Sequence, residues 1–419
     1  MKRMEIDVAV IGAGPAGLAA ALEADRMGKS VVLIERSDDL GGILQQCIHD
    51  GFGLHRFKKQ LSGPQYAQYF IDELNKTDIS VLLNTTVLSI EQKVIHAVNP
   101  TDGVLKIFPK AIILAMGCRE RTRNQVLIYG TRPSGVMTAG AAQRLINLEG
   151  LLPGKRAVIL GSGDVGLIMA RRMYLEGIDV LGVYEIMPNV GGLARNVQQC
   201  LIDYNIPLHL STTVVEVYGK ETLEGVRVAK VDSSLKPIPG TEEDIECDLL
   251  VLSVGLIPEN ELSKNAGIQM SPVTLGPVLD ESMMTSLPGI FAAGNVAIVF
   301  DLVDYVSLSA ESAARGAVRY IDGNSPKEPP CDIKTGENVS SLIPMKYHID
   351  YKGEDLYIFL RAREEKHDVR LCVTQGDNMI RQKLLPVVRP AEMIALKLSR
   401  DDLCQITGNM PITVSIINK

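Results

Sequence analysis

The chain contains two stretches, about 150 positions apart, in which apolar and small residues follow the same order. In the first, a β-branched apolar run beginning at Val8 leads into a glycine-rich turn, and a helical pattern follows as far as Arg26. Gly28 then ends the helical pattern, and Val31 to Ile34 form a second apolar run of strand length. This order predicts a β-strand, an α-helix and a second β-strand.

The second stretch, residues 157–185, repeats the pattern element by element. Its apolar run leads into another glycine-rich turn, Gly177 ends the helical pattern, and Val180 to Tyr184 form the closing strand. The two turns read Gly12-x-Gly14-x-x-Gly17 and Gly161-x-Gly163-x-x-Gly166. A glycine pair also follows a glutamate at the same spacing in both: Gly41 and Gly42 after Glu35, and Gly191 and Gly192 after Glu185. We interpret the two stretches as copies of one supersecondary unit.

Further apolar runs complete each half, and the pattern changes near the C-terminus. Residues 111–117 and 249–255 are predicted strands that end in glycine, so each closes its own half. After Lys327, the sequence Glu328-Pro329-Pro330 predicts a stiff link, and short alternating runs follow around Val369 and Ile412. The alternation predicts a separate C-terminal β domain over residues 326–419, a sandwich rather than a barrel.

The spacing of the glycines has a chemical reason. The first glycine permits a tight turn, the second lets a pyrophosphate approach the backbone, and the third lets the helix pack on the strand. The unpaired amides and the dipole of the helix N-terminus favour the negative charge of the phosphate. An acidic residue after the second strand accepts hydrogen bonds from ribose hydroxyls, and Glu35 and Glu185 are the candidates. The sequence therefore predicts two dinucleotide sites.

One difference between the halves leaves an alternative open. Glu185 lies one residue further from Gly161 than Glu35 lies from Gly12, so Tyr184 holds the strictly equivalent position. The matching glycine pairs favour Glu185 as the ribose-binding acid. The alternative is that Glu185 is only a solvated strand end.

Composition argues against several classes of function. The formal net charge of −7 over 419 residues disfavours nucleic acid or an anionic membrane surface as the main partner, since both favour basic patches. The seven cysteines are scattered without a CxxC pair, which is typical of reduced thiols in a cytoplasm, so we expect a cytoplasmic location. The uncharged stretch 282–300 contains Pro288 and Gly289 and is a poor membrane span. No HExxH motif, CxxC pair or carboxylate ligand cluster in the sequence predicts a metal site.

These residues resemble the pyridine nucleotide-disulfide oxidoreductase superfamily of two-dinucleotide flavoproteins over roughly residues 5–325. The stretch VIGAGPAGLAAA from Val10 resembles the family's segment for the ADP part of FAD, and Ala115-Met116-Gly117 resembles its strand end. The stretch from Thr285 to Asn295 resembles the segment that returns to the flavin. Asn295 replaces the usual aspartate there, although its amide can still hydrogen-bond a ribityl hydroxyl. The resemblance implies FAD on the first half and a nicotinamide dinucleotide on the second.

The resemblance also implies a fold class and a set of site residues. The expected fold class is α/β, with two Rossmann-like three-layer dinucleotide-binding domains and a C-terminal β-rich, sandwich-like domain. The expected domains are 1–125 and 259–325 for FAD, an inserted 126–258 for NAD(P), and 326–419. The expected FAD-binding residues are Gly12, Gly14, Pro15, Ala16, Gly17, Glu35, Arg36, Gly41, Gly42, Ala115, Gly117, Gly294 and Asn295. The expected NAD-binding residues are Gly161, Gly163, Asp164, Val165, Gly166 and Glu185.

Two further segments resemble a narrower group within the superfamily. They are GCRERTR at Gly117 to Arg123 and GTRPSGVMTAGAAQRLIN at Gly130 to Asn147. The group includes FAD subunits encoded beside glycerol-3-phosphate dehydrogenase-like proteins, and it is similar to the α subunits of sarcosine, opine and proline dehydrogenases and of hydrogen cyanide synthase. Such proteins usually work as hetero-oligomers, so the resemblance implies a dehydrogenase-type partner subunit, with a homo-oligomer as the alternative.

The chemistry follows from the implied cofactors. Flavin N5 takes a hydride from nicotinamide C4 when the two rings stack. By resemblance, a helix expected from about Asp304 to Tyr320 directs its N-terminus at the flavin pyrimidine edge. The redox dithiol of the disulfide reductases is missing from the sequence, and Cys47 is the thiol near a flavin motif. Cys47 and His49 are candidates for a tuning or gating group, or they are ordinary residues of the pocket wall.

Three functions are compatible with these features. The first is an FAD-dependent oxidoreductase that transfers hydride between NAD(H) and FAD as a subunit of a dehydrogenase complex. The alternatives are a stand-alone NADH oxidase or reductase with a small acceptor, and a non-catalytic dinucleotide-binding scaffold. NAD is expected over NADP, because Glu185 repels a 2′-phosphate and residues 186–189 offer no cation. Arg119, Arg121 and Arg123 are candidates for contacts to phosphate or to a partner's carboxylates, with a solvated face as the alternative.

Overall fold

The computed structural model describes residues 2–353 and 355–419, and the chain forms two compact units. The first unit comprises the chain up to Gln45, residues 50–118 and residues 258–419. The second comprises residues 46–49 and 119–257. The main unit boundaries therefore lie at 118/119 and 257/258.

The helices and strands are numbered along the chain. The helices are α1 (Pro15–Arg26), α2 (Gly63–Leu74), α3 (Ala139–Asn147), α4 (Asp164–Leu175), α5 (Ala194–Cys200), α6 (Glu261–Asn265), α7 (Val303–Ile321) and α8 (Arg400–Leu403). The first strands are β1 (Lys2–Ile11), β2 (Val31–Ile34), β3 (Asp50–Phe52), β4 (Leu61–Ser62), β5 (Ser80–Leu82), β6 (Thr86–Glu91), β7 (Val94–Asn99) and β8 (Gly103–Leu114). The next are β9 (Cys118–Glu120), β10 (Tyr129–Gly130), β11 (Val136–Thr138), β12 (Arg156–Leu160), β13 (Asp179–Tyr184), β14 (Leu208–His209), β15 (Thr212–Tyr218), β16 (Gly225–Lys230), β17 (Glu243–Glu246), β18 (Leu249–Leu252) and β19 (Leu256–Pro258). The last are β20 (Ile290–Ala292), β21 (Cys331–Thr335), β22 (Val339–Ile343), β23 (Lys346–Tyr347), β24 (Leu356–Ala362), β25 (Lys366–Gln375), β26 (Asn378–Val388), β27 (Met393–Leu398) and β28 (Ile412–Asn418).

The first unit is built on a sheet in the order β5-β2-β1-β8-β7-β6, with β20 paired to β8. Strands β5, β2, β1, β8 and β20 run parallel, whereas β7 and β6 are antiparallel additions. All four residues of β2 are buried, as expected of a parallel strand covered on both faces. Helices α1 and α7 belong to the same apolar core, and their many buried alanines let the two backbones approach closely.

The second unit has three layers. Its central sheet is parallel, in the order β11-β18-β12-β13-β14. One face packs on α3, α4 and α5, and the other packs on a second sheet in the order β10-β15-β16-β17. Residues alternate between the two faces along β12 and at the end of β13, where Val183 faces the helices and Tyr184 faces the second sheet.

Strand β13 carries a β-bulge that has no counterpart in β2. Ala157 pairs with Val180, but Val158 pairs with Gly182, so Leu181 is an extra residue in the pairing of β12 with β13. The pairing of β1 with β2 runs without a shift. The bulge takes up the extra residue before the strand ends, so that both strands end in the same register.

The C-terminal strands form two sheets around an apolar cluster of their own. The sheet orders are β23-β21-β28-β25-β26 and β22-β24-β27. This segment also contacts the residues just before α7, where Phe359 meets Phe300 edge to face at 5.1 Å and the Met393 amide donates to Asp301 Oδ2 at 2.8 Å. Among the described residues, no helix is both long enough and apolar enough to span a membrane.

Candidate functional site

The first glycine turn combines two tightly packed glycines with one that faces open space. Gly12 has φ +100°, and a Cβ there would lie 2.5 Å from the Ala115 carbonyl oxygen. A Cβ on Gly17 would lie 1.7 Å from the Gly12 carbonyl oxygen. Gly14, at the N-terminus of α1, has no atom within 4 Å of that position. The turn therefore fits the phosphate-binding role predicted from its sequence.

The second glycine turn repeats this geometry. Gly161 has φ +101°, and a Cβ there would lie 2.1 Å from the Ser253 carbonyl oxygen. A Cβ on Gly166 would lie 2.5 Å from the Gly161 carbonyl oxygen, whereas Gly163 again has no atom within 4 Å. The two turns thus share the close approach of helix to strand and the open space beside the helix N-terminus.

The glutamates after the two closing strands accept backbone amides in the same pattern. Glu35 Oε2 accepts the Ala13 amide at 2.7 Å, and Oε1 accepts the Ser37 amide at 2.9 Å. Glu185 Oε2 accepts the Ser162 amide at 2.8 Å, and Oε1 accepts the amide two residues further on at 2.9 Å. Each glutamate is 8% exposed. The structure therefore places Glu185 at the position equivalent to Glu35.

Tyr184 occupies a different environment. Its ring stacks on His209, with centroids 4.5 Å apart and planes within 9°, on the face of the parallel sheet that packs on β10-β15-β16-β17. Because the bulge at Leu181 restores the register before the strand ends, the extra residue does not bring Tyr184 to the glycine turn.

The glycine pairs return the chain to the turns. The Gly41 amide donates to the Ala13 carbonyl at 2.9 Å, and a Cβ on Gly42 would lie 3.0 Å from Gly14 Cα. In the second half, the Gly191 amide donates to Ser162 Oγ at 2.9 Å. The matching spacing in the sequence therefore corresponds to a matching return of the backbone.

The segment after β20 completes the group around the first turn. A Cβ on Gly294 would lie 2.8 Å from Ala16 Cβ, and the Gly294 amide donates to Ser309 Oγ at 3.0 Å. Asn295 Nδ2 donates to Cys118 Sγ at 3.4 Å, while Asn295 Oδ1 accepts the Phe300 amide at 3.0 Å. Both the nitrogen and the oxygen of the Asn295 side-chain amide thus form hydrogen bonds within the protein.

The remaining predicted residues of the first unit lie at the same edge of its sheet. Pro15 is the first residue of α1, and the Ala115 amide donates to the carbonyl at the end of β1. Gly117, with φ +73°, accepts the Glu259 amide at 3.0 Å. Arg36 is exposed directly after Glu35. The structure therefore brings the predicted FAD-binding residues together within one unit.

Helix α4 begins with an acid where α1 begins with proline. Asp164 Oδ1 accepts the Leu193 amide at 2.8 Å and Asn196 Nδ2 at 2.6 Å, and Val165 beside it is 39% exposed. The Asp164 carboxylate thus holds the segment that follows the glycine pair against the helix N-terminus.

Cys47 and His49 belong to a short segment, residues 46–49, of the second unit. Gln46 Nε2 donates to Gln143 Oε1 at 3.0 Å, and the Cys47 thiol lies 3.7 Å from the same oxygen. Burial raises the pKa of the Cys47 thiol to about 12. Because the thiolate is the reactive form, this environment disfavours a nucleophilic or relay role for Cys47 at neutral pH.

The three candidate arginines have different surroundings. Arg123 donates to the carbonyls of Ile128, Tyr129, Gly130 and Thr131, so its guanidinium holds a loop of the second unit. The Arg121 amide donates to the Gly255 carbonyl at 3.0 Å, which fixes Arg121 at the end of the segment after β18. Arg119 is exposed. Of the three, Arg123 is a structural residue.

The first unit also holds a buried polar cluster that the sequence did not predict. Glu281, whose side chain is 0% exposed, accepts the amide and Nδ1 of His348 at 3.0 Å each, and Asp280 Oδ2 lies 3.9 Å from that Nδ1. Burial, followed by the charge of Glu281, raises the pKa of Asp280 to about 7. Burial lowers the pKa of His348, but the Glu281 hydrogen bond and the two carboxylate charges outweigh it, so the net shift is upward.

The cluster's three ligand-type groups lie within 4.8 Å of one another. However, the oxygens of Glu281 already accept hydrogen bonds from His348, which accounts for the cluster as an ion pair between the C-terminal segment and the rest of the first unit. No pattern in the sequence marks His348, because its partners lie far away along the chain.

A family match and similar proteins place these features among known proteins. The sequence profile described as "Pyridine nucleotide-disulphide oxidoreductase" matches residues 6–317. The HcnB subunit of hydrogen cyanide synthase from Pseudomonas protegens is 28% identical over 291 residues, covering 64% of this chain and 60% of that protein. An opine oxidase subunit from Agrobacterium tumefaciens is 26% identical over 311 residues, covering 69% and 61%. The alpha subunit of sarcosine oxidase from Rhizobium meliloti is 26% identical over 389 residues, covering 88% and 36%. The chain thus spans less than two thirds of the length of each of these relatives.

Solved structures show the same fold. Thioredoxin reductase from T. acidophilum superimposes with a TM-score of 0.61 and 25% identity, covering 77% of this chain and 99% of that chain. L-Proline dehydrogenase from P. horikoshii gives a TM-score of 0.55 and 22% identity, covering 78% and 57%. With two glycine turns whose open centres fit dinucleotide phosphates, the chain belongs to the pyridine nucleotide-disulphide oxidoreductase family.

Proposed function

We propose that this protein transfers hydride between NAD(H) and FAD, with FAD on the first unit and the nicotinamide dinucleotide on the second. The observation that carries the proposal is the repeated site: two glycine turns with open centres, each closed by a glutamate held by two backbone amides. When bound, the flavin supplies N5 as the hydride acceptor or donor. The chain's own residues bind and orient the two dinucleotides.

Each half supplies the amides of a helix N-terminus and a glutamate to its dinucleotide. The N-termini of α1 and α4 offer amides and a favourable dipole to the phosphates, and Gly14 and Gly163 leave the space for their approach. Glu35 and Glu185 accept ribose hydroxyls. The N-terminus of α7 serves the pyrimidine end of the flavin, as the family resemblance implies.

The same geometry supports NAD over NADP. The Glu185 carboxylate would face a 2′-phosphate with like charge, and residues 186–189 are Ile, Met, Pro and Asn. Because a 2′-phosphate needs a cation at this place, we expect NADH to bind and react in preference to NADPH.

We further propose that the protein works as one subunit of a dehydrogenase complex, with a domain organisation of 1–125 and 259–325 for FAD, 126–258 for NAD and 326–419 for assembly. The similarity to proteins named as subunits supports this. The edge strand β26 also carries large exposed apolar residues, among them Leu384 at 61% exposure. Such residues suit a contact with another protein.

Anaerobic titration of the purified protein tests hydride transfer. We expect a yellow protein with bound FAD whose absorbance at the flavin maximum bleaches with NADH and much more slowly with NADPH. A colourless protein that cannot be reconstituted with FAD, or a flavin that neither nucleotide reduces, would contradict the proposal and favour the scaffold alternative.

The assembly proposal needs a separate test. Leu384→Glu should abolish co-purification of a dehydrogenase-like subunit from the native host while bound FAD is retained. Leu88→Glu, at a leucine of β6 that is 56% exposed, is the matched control and should retain the partner. Full turnover by the isolated chain with a small acceptor would instead favour the stand-alone oxidase or reductase.

A further inference from the structure

The two glycine turns differ at their second position, which is Ala13 in the first and Ser162 in the second. Ser162 is 0% exposed, and its hydroxyl donates to Glu185 Oε2 at 2.6 Å while accepting the Gly191 amide at 2.9 Å. In the first half, the Gly41 amide donates to the Ala13 carbonyl instead. The second half thus inserts a hydroxyl between its glutamate and its glycine pair.

This hydroxyl changes what Glu185 has left to offer a ligand. An ionised carboxylate has about four acceptor positions, two on each oxygen. Glu35 uses one position on each oxygen for backbone amides, which leaves one free position on each. Glu185 uses both positions of Oε2, for the amide and the hydroxyl of Ser162, and one position of Oε1. Glu185 therefore keeps a single acceptor position, while Glu35 keeps one on each oxygen.

We propose that Ser162 is a positioning residue that weakens the hold of Glu185 on the ribose of the nicotinamide dinucleotide. A ribose presents two neighbouring hydroxyls, so Glu35 can accept both, whereas Glu185 can accept one. Ser162 is fully buried, so its hydroxyl cannot replace the lost contact. The difference matches the proposed roles, because FAD stays bound as a prosthetic group and the nicotinamide dinucleotide has to leave in every turnover. The inference rests on the proposed function for the identity of the ligand.

The variant Ser162→Ala reproduces in the second half the arrangement of the first, since Glu185 would still accept two backbone amides, as Glu35 does. Isothermal titration of the FAD-loaded protein with NAD⁺ measures affinity without reducing the flavin. We expect the Kd for NAD⁺ to fall about three- to tenfold, the worth of one hydrogen bond. The absorbance of bound FAD reports whether the variant has folded.

An unchanged or weaker affinity in Ser162→Ala would overturn the inference, since it would show that the hydroxyl is neutral or helps to bind the ligand. Failure of the unaltered protein to bind NAD⁺ would count against the proposed function instead. Ser162→Cys serves as the second variant, because a thiol is only a weak donor of similar shape, and it should also bind NAD⁺ more tightly.

The reciprocal variant Ala13→Ser places a hydroxyl beside Glu35. FAD should then dissociate about three- to tenfold faster, measured by the rise in flavin fluorescence on dilution. An unaltered release rate in a protein with normal FAD content would show that an added hydroxyl at this position does not compete for the glutamate, and would overturn the inference.

Discussion

The two halves of this molecule share one βαβ unit, and they differ in the polar groups around its glutamate. At the glycine turns they are nearly interchangeable: the outer glycines pack against carbonyl oxygens, and the middle glycine faces open space in both. Around the glutamates they diverge, with alanine against serine before the middle glycine and proline against aspartate after it. A bulge is present in only one closing strand. Backbone packing at the turns is thus fixed by sterics, whereas the polar groups around the acid can vary.

The largest expected effect comes from the glycines that the halves share. A side chain at Gly12 or Gly161 meets a carbonyl oxygen at 2.5 Å or 2.1 Å and requires a positive φ, which costs about 3 kcal/mol or more. Gly12→Val should therefore lower FAD affinity about 100-fold, and Gly161→Val should lower NAD⁺ affinity similarly while the protein remains yellow. FAD content and calorimetry measure the two effects. Loss of flavin in the Gly161 variant would show that the halves are not separable.

The second effect concerns the acid that follows each closing strand. Glu185→Gln removes the charge that repels a 2′-phosphate while keeping the size of the side chain. The ratio of Kd for NADP⁺ to that for NAD⁺ should fall about tenfold. Titration of the oxidised protein with both nucleotides measures the ratio. Glu35→Gln is the matched control and should leave it unchanged, whereas an unchanged ratio in the Glu185 variant would mean that discrimination arises elsewhere.

The third effect concerns the pH dependence of a buried polar cluster that only the first unit holds among the described residues. In the first unit, His348 of the C-terminal segment contacts Glu281, and Asp280 lies beside the pair. Because the folded pKa of Asp280 is raised to about 7, its neutral form stabilises the fold below the unfolded pKa of 3.8, and that contribution is lost as pH rises to about 7. His348, whose pKa is also raised, loses its contribution as pH rises above 6.5.

Asp280→Asn should remove the first of these contributions, because an amide does not titrate. Relative to the variant, the unaltered protein should lose about 2 kcal/mol of unfolding free energy between about pH 5 and about pH 7.5. Urea unfolding of both proteins at the two pH values measures this. Parallel pH profiles would show that Asp280 is ionised throughout.

The smallest effect is expected at Cys47. The buried thiol is protonated at neutral pH, and its sequence neighbourhood offers no second cysteine at a relay spacing. Cys47→Ser should keep the rate of flavin bleaching by NADH within about twofold in stopped flow. Cys200→Ser, at a buried thiol in α5, is the control for loss of packing. A collapse of the rate in the Cys47 variant alone would make this thiol catalytic.

The sequence predicted the local elements of both halves well. The predicted helix end at Arg26 and the strands at Val31 to Ile34 and up to Tyr184 agree with α1, β2 and β13. The helix expected from Asp304 to Tyr320 is α7, one residue longer at each end. These elements have strong periodicity and glycine boundaries, and such signals are contained in neighbouring residues.

The sequence could not predict contacts between residues that lie far apart along the chain. The pairing of His348 with Glu281 and the contact of Asn295 with Cys118 join residues far apart in the chain. The competition of Ser162 for Glu185 becomes visible only when the two turns are compared atom by atom. The spacing one residue longer left Tyr184 as the strictly equivalent position, and nothing in the sequence indicated that a bulge at Leu181 takes up the extra residue.

The extra residue at Leu181 affects how related chains can be aligned. An insertion inside this strand does not displace the acid, because the bulge absorbs it before the strand ends. The same insertion between Tyr184 and Glu185 would move Glu185 away from the glycine turn. Strand pairing aligns Glu185 with Glu35, because Tyr184 pairs with Leu160 as Ile34 pairs with Ile11. A search that counts residues between the glycine turn and the acid would miss this equivalence.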